Sequence, residues 1–546
     1  MNRLIPNLTI LLLIVFSMQS YATDRCWLFF RDKGAISERI SVLRSSWNQR
    51  SLDRRGKMGV GLDSLDLPVS EEYIERIGRM GARISEVSRW LNAISVEADS
   101  AVLTDLMLLD FVVGMTPVAR LHRNELGWEE SVEQSPAPIV ADEWDEDHSL
   151  IPLGAYGRSW RQADQSGVIE AHRRGLTGAG VLIGMLDTGF QLNHRAFCGL
   201  ELVAQHDFIF DDGDPSFDPT TDRTGQPNHG TACLSVIVGY DPGHLVGIAP
   251  KAAVALGKTE LTGTEIPMEE DYWVAGIEWL EWVGADVVNS SLGYTNWYSD
   301  YDMDGVTSPA SRAAQRACEL GVIICNSAGN SGPDPITIGA PADARGVLTV
   351  AAVDSMGEIV GFSSRGPSAD GRIKPDVAAM GRKVSCVWPS TWELYTQWNG
   401  TSLASPIVTG VVALVIEAHP DWTPWMVVEA IKSTADRSFR PDYSYGYGIV
   451  NAAAAIDYPS LSGRVVRLSD GEAVTDVTLQ MVGNGNSLNT VSDHYGRYRF
   501  VNLPDGTYQL TAEVNDGSPI IVHREIIVPP SLPFDIILDD SWSQSR

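Results

Sequence analysis

The sequence predicts an α/β protein: a parallel sheet with helices on both faces, preceded by a small α+β unit and followed by an all-β sandwich. Three observations carry the prediction. Between residues 153 and 457, short runs at 181–186, 322–325 and 347–350 are apolar on both faces and alternate with helix-like segments, the pattern of strands covered from two sides. From Leu461 the chain changes to short strands divided by turn signals such as Asp505-Gly506 and Asn515-Asp516-Gly517, which argues for a sandwich. Residues 124–150 hold nine acidic side chains, no Lys or Arg, and Pro136 and Pro138, a composition suited to an exposed linker.

At 546 residues the chain has room for three or four folding units. Residues 1–22 read as an export signal: Arg3 is a positive start, 8–18 form a short apolar run, and Ser20-Tyr21-Ala22 offers small residues for cleavage. That run is too short to span a bilayer. No later segment has eighteen consecutive apolar residues, so no integral membrane segment is expected in the mature chain. Residues 23–123 make the α+β unit. Cys26-Trp27-Leu28-Phe29-Phe30 is strand-like, 69–80 has helical periodicity with Ser70 as N-cap, 83–98 is strand-rich, and Val112-Val113 opens another extended stretch. The acidic linker 124–152, the large α/β unit 153–457 and the sandwich 460–540 follow in order.

The net charge of −29 is unevenly placed: 23–123 carries 15 basic against 14 acidic residues, whereas 124–546 carries 25 against 56. Such a surface repels phosphate backbones and anionic lipid, which excludes nucleic acid as a partner. With the export signal it fits a secreted protein, or one held in a periplasm or at a cell surface. Six cysteines without a CxxC spacing indicate neither a zinc site nor a disulfide-stapled miniprotein.

Three short motifs carry chemistry. Asp187-Thr188-Gly189 follows the strand run ending at Leu186. His229-Gly230-Thr231 opens a buried helix, and Gly400-Thr401-Ser402-Leu403-Ala404-Ser405-Pro406 opens a second, with Pro406 expected in its first turn. Acyl transfer needs a nucleophile, a base to take its proton, and a buried carboxylate to orient that base. Each motif alone is weak. A single-chain aspartic protease needs a second Asp-Thr-Gly, and Ala404 stands where a lipase-like Gly-x-Ser-x-Gly elbow needs glycine. The three together, in the order Asp, His, Ser, point to Asp187, His229 and Ser402 as a catalytic triad.

Over about 153–457 the chain resembles the subtilisin-like serine peptidases (subtilases), which makes the α/β unit a subtilisin-like parallel sheet. The resemblance implies a serine endopeptidase acting on polypeptides, with no cofactor required for the chemistry. It implies that Val288-Asn289-Ser290-Ser291-Leu292-Gly293 holds extended substrate through Ser291, Leu292 and Gly293, and that Ala328 and Gly329 line the specificity pocket. It implies further that Asn326-Ser327-Ala328-Gly329-Asn330 carries the oxyanion-hole asparagine, Asn330; subtilisin is the type example of that role and of the triad. Phe362-Ser363-Ser364-Arg365-Gly366-Pro367, Lys374-Pro375-Asp376 and 445–451 match further family segments. Ala379-Met380-Gly381 departs from the usual Ala-Pro-Gly, and Ala232 replaces a histidine often found there. Cys233 lies one helical turn past His229 and is expected to be a packed free thiol.

Two further resemblances are partial. On Tyr73-Ile74-Glu75-Arg76-Ile77 and Arg89-Trp90-Leu91-Asn92-Ala93-Ile94, the N-terminal unit resembles the inhibitory propeptides of this family, implying a zymogen whose own propeptide is an intramolecular inhibitor. On Gly463-Arg464-Val465 and 493–508, the C-terminal unit resembles carboxypeptidase-regulatory, transthyretin-like sandwiches. Calcium is common among relatives, so a structural calcium is possible here. Asp300-Tyr301-Asp302-Met303-Asp304-Gly305 imitates an EF-hand start, but Ser311 stands where the bidentate glutamate belongs. Asp211-Asp212-Gly213-Asp214 is a similar acidic loop, and neither reads as a ligand set.

Overall fold

The first strand explains why its sequence is apolar throughout. In β1 (Asp24–Phe30) successive side chains face opposite ways. Cys26, Leu28 and Phe30 enter the core of the N-terminal unit, whereas Trp27 joins a second core with Trp273, Val274 and Ile277 of the central unit. This is a computed structural model. It describes residues 24–538 apart from 34–35, 119–150, 264–265, 439, 459, 484, 502–505, 515–523 and 529–534. The export signal, most of the acidic linker and the turns at Asp505 and 515–517 lie outside the described residues.

The N-terminal unit continues through α1 (Ile36–Ser46), α2 (Gln49–Lys57), α3 (Glu71–Arg79), β2 (Arg83–Ser88), β3 (Ala93–Ala98), α4 (Ser100–Leu106) and β4 (Val112–Val118). Its antiparallel sheet has the order β2-β3-β1-β4. The strand-rich stretch 83–98 is thus two strands joined by a turn. Ser70 precedes α3 as expected but makes no side-chain cap; its carbonyl takes the N–H groups of Tyr73 and Ile74.

The central unit runs through α5 (Trp160–Gln165), α6 (Val168–Arg173), β5 (Leu182–Asp187), β6 (Glu201–Asp207), α7 (Asn228–Val238), the short pair β7 (Tyr240–Asp241) and β8 (Leu245–Val246), and β9 (Ala253–Lys258). It goes on through α8 (Met268–Val283), β10 (Val287–Ser290), α9 (Pro309–Glu319), β11 (Ile323–Ser327), β12 (Leu348–Val353) and β13 (Val377–Met380). The hairpin β14 (Val384–Val387) and β15 (Tyr395–Trp398), then α10 (Thr401–Ala418), α11 (Pro424–Thr434) and α12 (Ala452–Ile456), complete it. Seven strands pair in parallel in the order β13-β12-β11-β10-β5-β9-β6. Both faces are covered: Ile183 and Met185 of β5 pack in the core with α7 and α10, Leu182 and Leu186 in the core with α8 and α9. Each such side chain removed from water contributes about 1.5–3 kcal/mol, which explains runs with no polar face.

The 18-residue α10 is long and apolar enough to cross a membrane by composition, yet 83% of it is buried inside the protein. The C-terminal unit packs two sheets around Leu461, Val465, Leu479, Tyr508 and their neighbours. One has the order β19-β16-β22 and the other β18-β17-β20-β21, with β16 (Ser460–Arg467), β17 (Val477–Gly483), β18 (Asn486–Val491), β19 (Arg497–Val501), β20 (Gly506–Val514), β21 (Arg524–Val528) and β22 (Ile536–Leu538).

Candidate active site

Parallel strands deliver their loops to one edge of a sheet, and the motif residues gather there. Asp187 is the last residue of β5, His229 the second of α7 and Ser402 the second of α10. Asn330 lies just beyond β11. Asp187 is fully buried, and its Oδ1 accepts from His229 Nδ1 at 2.6 Å and from the Thr188 N–H at 2.7 Å. That contact fixes the imidazole with Nε2 as the working nitrogen. Gly230 makes the approach possible, since a Cβ there would lie 2.3 Å from the Gly189 carbonyl and 3.1 Å from Asp187 Oδ1.

Burial alone would push the His229 pKa down. The buried Asp187 carboxylate outweighs it, and the imidazole titrates well above its usual value. The Cys233 thiol is itself pushed up by burial, so it is neutral beside the ring and the upward shift rests on Asp187.

Helix α10 is bolted to the sheet by Asn289, whose Oδ1 accepts from Ser405 Oγ at 2.9 Å and Thr409 Oγ1 at 3.0 Å. The helix starts at Thr401, so Pro406 falls in its second turn and not in the first. A proline there has no N–H for the carbonyl four residues back, which is that of Ser402. The freed Ser402 carbonyl accepts instead from Ser291 Oγ at 2.8 Å and Cys233 Sγ at 3.2 Å. Ser402 Oγ in turn donates to the Ser291 carbonyl at 3.3 Å.

Asn330 Oδ1 accepts from the Thr401 N–H and hydroxyl, both at 3.0 Å. Its carbonyl is thereby committed, and its amide NH₂ is turned toward Gly400 at the nucleophile's end of the cleft. At Gly329, φ is +102° and a Cβ would meet Ser364 Oγ at 2.8 Å, so only glycine fits. His229, Ser402, Asn330, Ser291, Leu292, Gly293, Ala328 and Gly329 all line one cleft. The structure therefore brings together every site residue expected from the sequence, with Asp187 buried directly behind His229. Ser291 does more than line the groove, because it holds both oxygens of Ser402. Asn289 and Thr401 belong to the sequence motifs, but their roles come only from three-dimensional contacts.

The carboxylates of the acidic loops accept hydrogen bonds from their own loops. Asp302 accepts from the Ser299 N–H and hydroxyl, and Asp304 from the N–H groups of Val306 and Thr307. Asp212 and Asp214 accept from the Asp214 and Ser216 N–H groups. Among the described residues, the one cluster of three metal-capable side chains is Asp187, His229 and Cys233, within the site itself.

This fold and this cleft define a serine-type peptidase. The subtilase family model matches residues 178–448, a Bacteroidota peptidase S8 propeptide domain matches 25–132, and a carboxypeptidase regulatory-like domain matches 460–525. The chain belongs to the subtilase family. It is 30% identical over 318 residues to the serine protease AprX of Bacillus subtilis, covering 52% of this chain and 67% of that one. It is 32% identical over 288 residues to subtilisin DY of Bacillus licheniformis, covering 52% of this chain and 93% of that one. The crystal structure of fervidolysin from Fervidobacterium pennivorans superposes with a TM-score of 0.58 at 20% identity, covering 95% of this chain and 78% of that one, a likeness of fold.

Proposed function

We propose that this subtilase is a secreted endopeptidase, made as a zymogen, that cleaves polypeptides through an acyl-enzyme on Ser402. The observation that carries the reading is the buried Asp187–His229 hydrogen bond in the same cleft as Ser402 and Asn330. Ser402 Oγ attacks the scissile carbonyl while its proton passes to His229 Nε2, and Asp187 orients the ring and stabilises the imidazolium. The carbonyl oxygen becomes an oxyanion held by the Asn330 amide and the Ser402 N–H. Collapse expels the amine, which takes the proton from His229. Water then attacks the acyl group by the same steps in reverse. All these groups are protein side chains or backbone, so the chemistry calls for no cofactor.

Substrate is proposed to lie along Ser291, Leu292 and Gly293, with one side chain against Ala328 and Gly329. The propeptide is proposed to occupy this enzyme as an intramolecular inhibitor, its linker cut on activation. The export signal and acidic charge support a place outside the cytoplasm: secreted, periplasmic or cell-surface. A fluorophosphonate probe on the mature protein tests the reading. Labelling mapped to Ser402, with autoprocessing lost in Ser402→Ala, is expected; labelling elsewhere, or equal processing of both in a protease-free host, overturns it.

A further inference from the structure

The C-terminal sandwich reaches past the central unit to the propeptide domain. It is held close to the peptidase: β16 begins four residues after α12 ends, and Asp457 between them accepts from Arg174 Nη1 at 2.7 Å. Its β19 sits on α11, with the Arg497 guanidinium 5.3 Å from the centre of the Trp425 ring and its Nε bound to Asp493 at 2.9 Å. The propeptide comes to the same place at the end of α2. Lys57 Nζ donates to the Pro420 carbonyl at 2.6 Å, and Asp63 accepts from Arg316 Nη2 at 2.6 Å. Buried Met58 lies over Gly321, where a Cβ would stand 3.0 Å from its Cγ. Arg316 belongs to the last turn of α9. Glu319 of that turn faces Tyr495 of the sandwich, whose phenol is pushed up to about 12 by burial and by this carboxylate. One helix end therefore seats both units.

The two units also meet directly. Gly59 has φ +66°, and a Cβ there would stand 2.9 Å from Arg464 Nη1. The guanidinium of β16 thus closes over the bare backbone that turns the propeptide out of α2. Beside this contact the three units share a cavity of about 430 Å³, walled by Met58, Gly59, Trp425, Arg464 and Arg497. Resting on the reading of the propeptide as an intramolecular inhibitor, we infer that the C-terminal sandwich is its second anchor, gripping Gly59 through Arg464 so that the enzyme stays covered after the linker is cut. Cutting the linker abolishes the high effective concentration that a tether supplies. The sandwich keeps its hold, because it is joined to α12 on the far side of that cut. A packed arginine at the centre of an interface is the kind of residue that sets its lifetime.

The test uses Ser402→Ala zymogen clipped in the linker by an added protease, so that no chemistry of this chain enters the readout. Propeptide loss is timed by size-exclusion chromatography. Arg464→Ala and Arg464→Glu are expected to shorten retention by about tenfold or more. Leu468→Ala, at an exposed position of the same unit, is expected to leave it unchanged. By linkage the propeptide must steady the sandwich in return. Hydrogen exchange in β16 and β19 of the chain with native Arg464 is therefore expected to quicken once the propeptide is washed away, a measurement that stands even where an Arg464 variant fails to fold. With Ser402 in place, Arg464→Ala is expected to show activity sooner after the same clip. A clipped wild-type enzyme that works while the propeptide is still held sinks the inhibitor reading and leaves the anchor standing. Retention unchanged in Arg464→Ala and Arg464→Glu, or exchange in β16 unmoved by loss of the propeptide, overturns the inference.

Discussion

Ser291 holds both oxygens of Ser402: its hydroxyl donates to the Ser402 carbonyl at 2.8 Å, and its carbonyl accepts from Ser402 Oγ at 3.3 Å. The first contact exists because Pro406 has no N–H to offer that carbonyl. Ser291→Ala leaves Cys233 Sγ as the carbonyl's remaining donor of the two and loosens the nucleophile's backbone. A neutral hydrogen bond lost in a buried site costs about 1–3 kcal/mol. Peptide kinetics are therefore expected to lose roughly five- to a hundredfold in kcat. An unchanged kcat would make Ser291 a groove wall and nothing more.

Asn330 is expected to act mainly once the carbonyl oxygen carries charge. Thr401 occupies its carbonyl and leaves the amide NH₂ as the group for the cleft. Asn330→Ala should lower kcat by a factor equivalent to about 2.7–4 kcal/mol with little change in KM. A kcat within a few-fold of wild type on a peptide substrate removes it from the mechanism.

Much of this was legible because the family's motifs sit where a parallel sheet ends, and apolar runs with no polar face announce such a sheet. The triad needed only order and spacing. What the sequence hid were long-range contacts. Asn289 anchoring α10 through Ser405 and Thr409 depends on side chains more than a hundred residues apart. Pro406 would be harmless in a helix that started two or three residues later, whereas the start at Thr401 makes it the sixth residue and leaves a carbonyl that needs new donors.

Cys233 is unpaired and fully buried, with Sγ 3.9 Å from His229 Nε2. Burial raises its pKa, so thiolate is scarce and bulky alkylating reagents should react slowly with native enzyme. Small mercurials, which bond sulfur directly, should inhibit by displacing the imidazole, and Cys233→Ala should resist them. Inhibition undiminished in that variant would place the target thiol elsewhere.

The His229 shift fixes the acid limb of activity. An imidazolium cannot take the Ser402 proton, so rate follows the neutral fraction. With the pKa raised well above its usual value, chiefly because Asp187 outweighs burial, kcat/KM should fall as pH drops through a midpoint above the ordinary imidazole value of about 6.5. A midpoint at or below that value would mean Asp187 does not charge-stabilise the ring.

The interface between the propeptide domain and α8 is expected to loosen as pH rises. Its centre is apolar, with Trp27, Trp90 and Leu91 against Trp273, Val274 and Ile277. Around this lie acidic side chains of α8 that the propeptide covers. Asp271 meets Ser95 Oγ and Arg25, and Glu278 meets Ser88 Oγ, Arg89 and the Trp90 N–H. Burial pushes Asp271 up to about 7 and raises Glu278, and on the propeptide side it pushes Glu86 up to about 8. Once the domains part, these carboxylates return to water and to pKa values of about 4. The complex therefore binds more protons than its separated parts. Its stability is full below about pH 4 as far as these groups go, and is lost as pH rises through 7 to 8. Glu281 runs the other way. Burial would raise it, but Arg54 and Arg55 outweigh that and hold it at about 2, so its contribution is present above about pH 4 and lost only in stronger acid. Arg55 of α2 reaches Glu281 of α8 through two bonds of 2.9 Å and grips Asp66 of its own unit through two of 2.7 and 2.8 Å, which makes it a cross-brace between α2 and α8. In Ser402→Ala zymogen clipped in the linker by an added protease, size-exclusion chromatography should find the propeptide retained at pH 5.5 and released increasingly toward pH 8.5. Asp271→Asn should flatten that dependence. Arg55→Ala, which leaves Glu281 with Arg54 and Ser51 but takes the guanidinium from buried Asp66, should weaken retention across the whole range, by less than the roughly 3–5 kcal/mol of a buried pair broken outright. Retention that strengthens with pH would show that the ion pairs, and not the covered carboxylates, govern release.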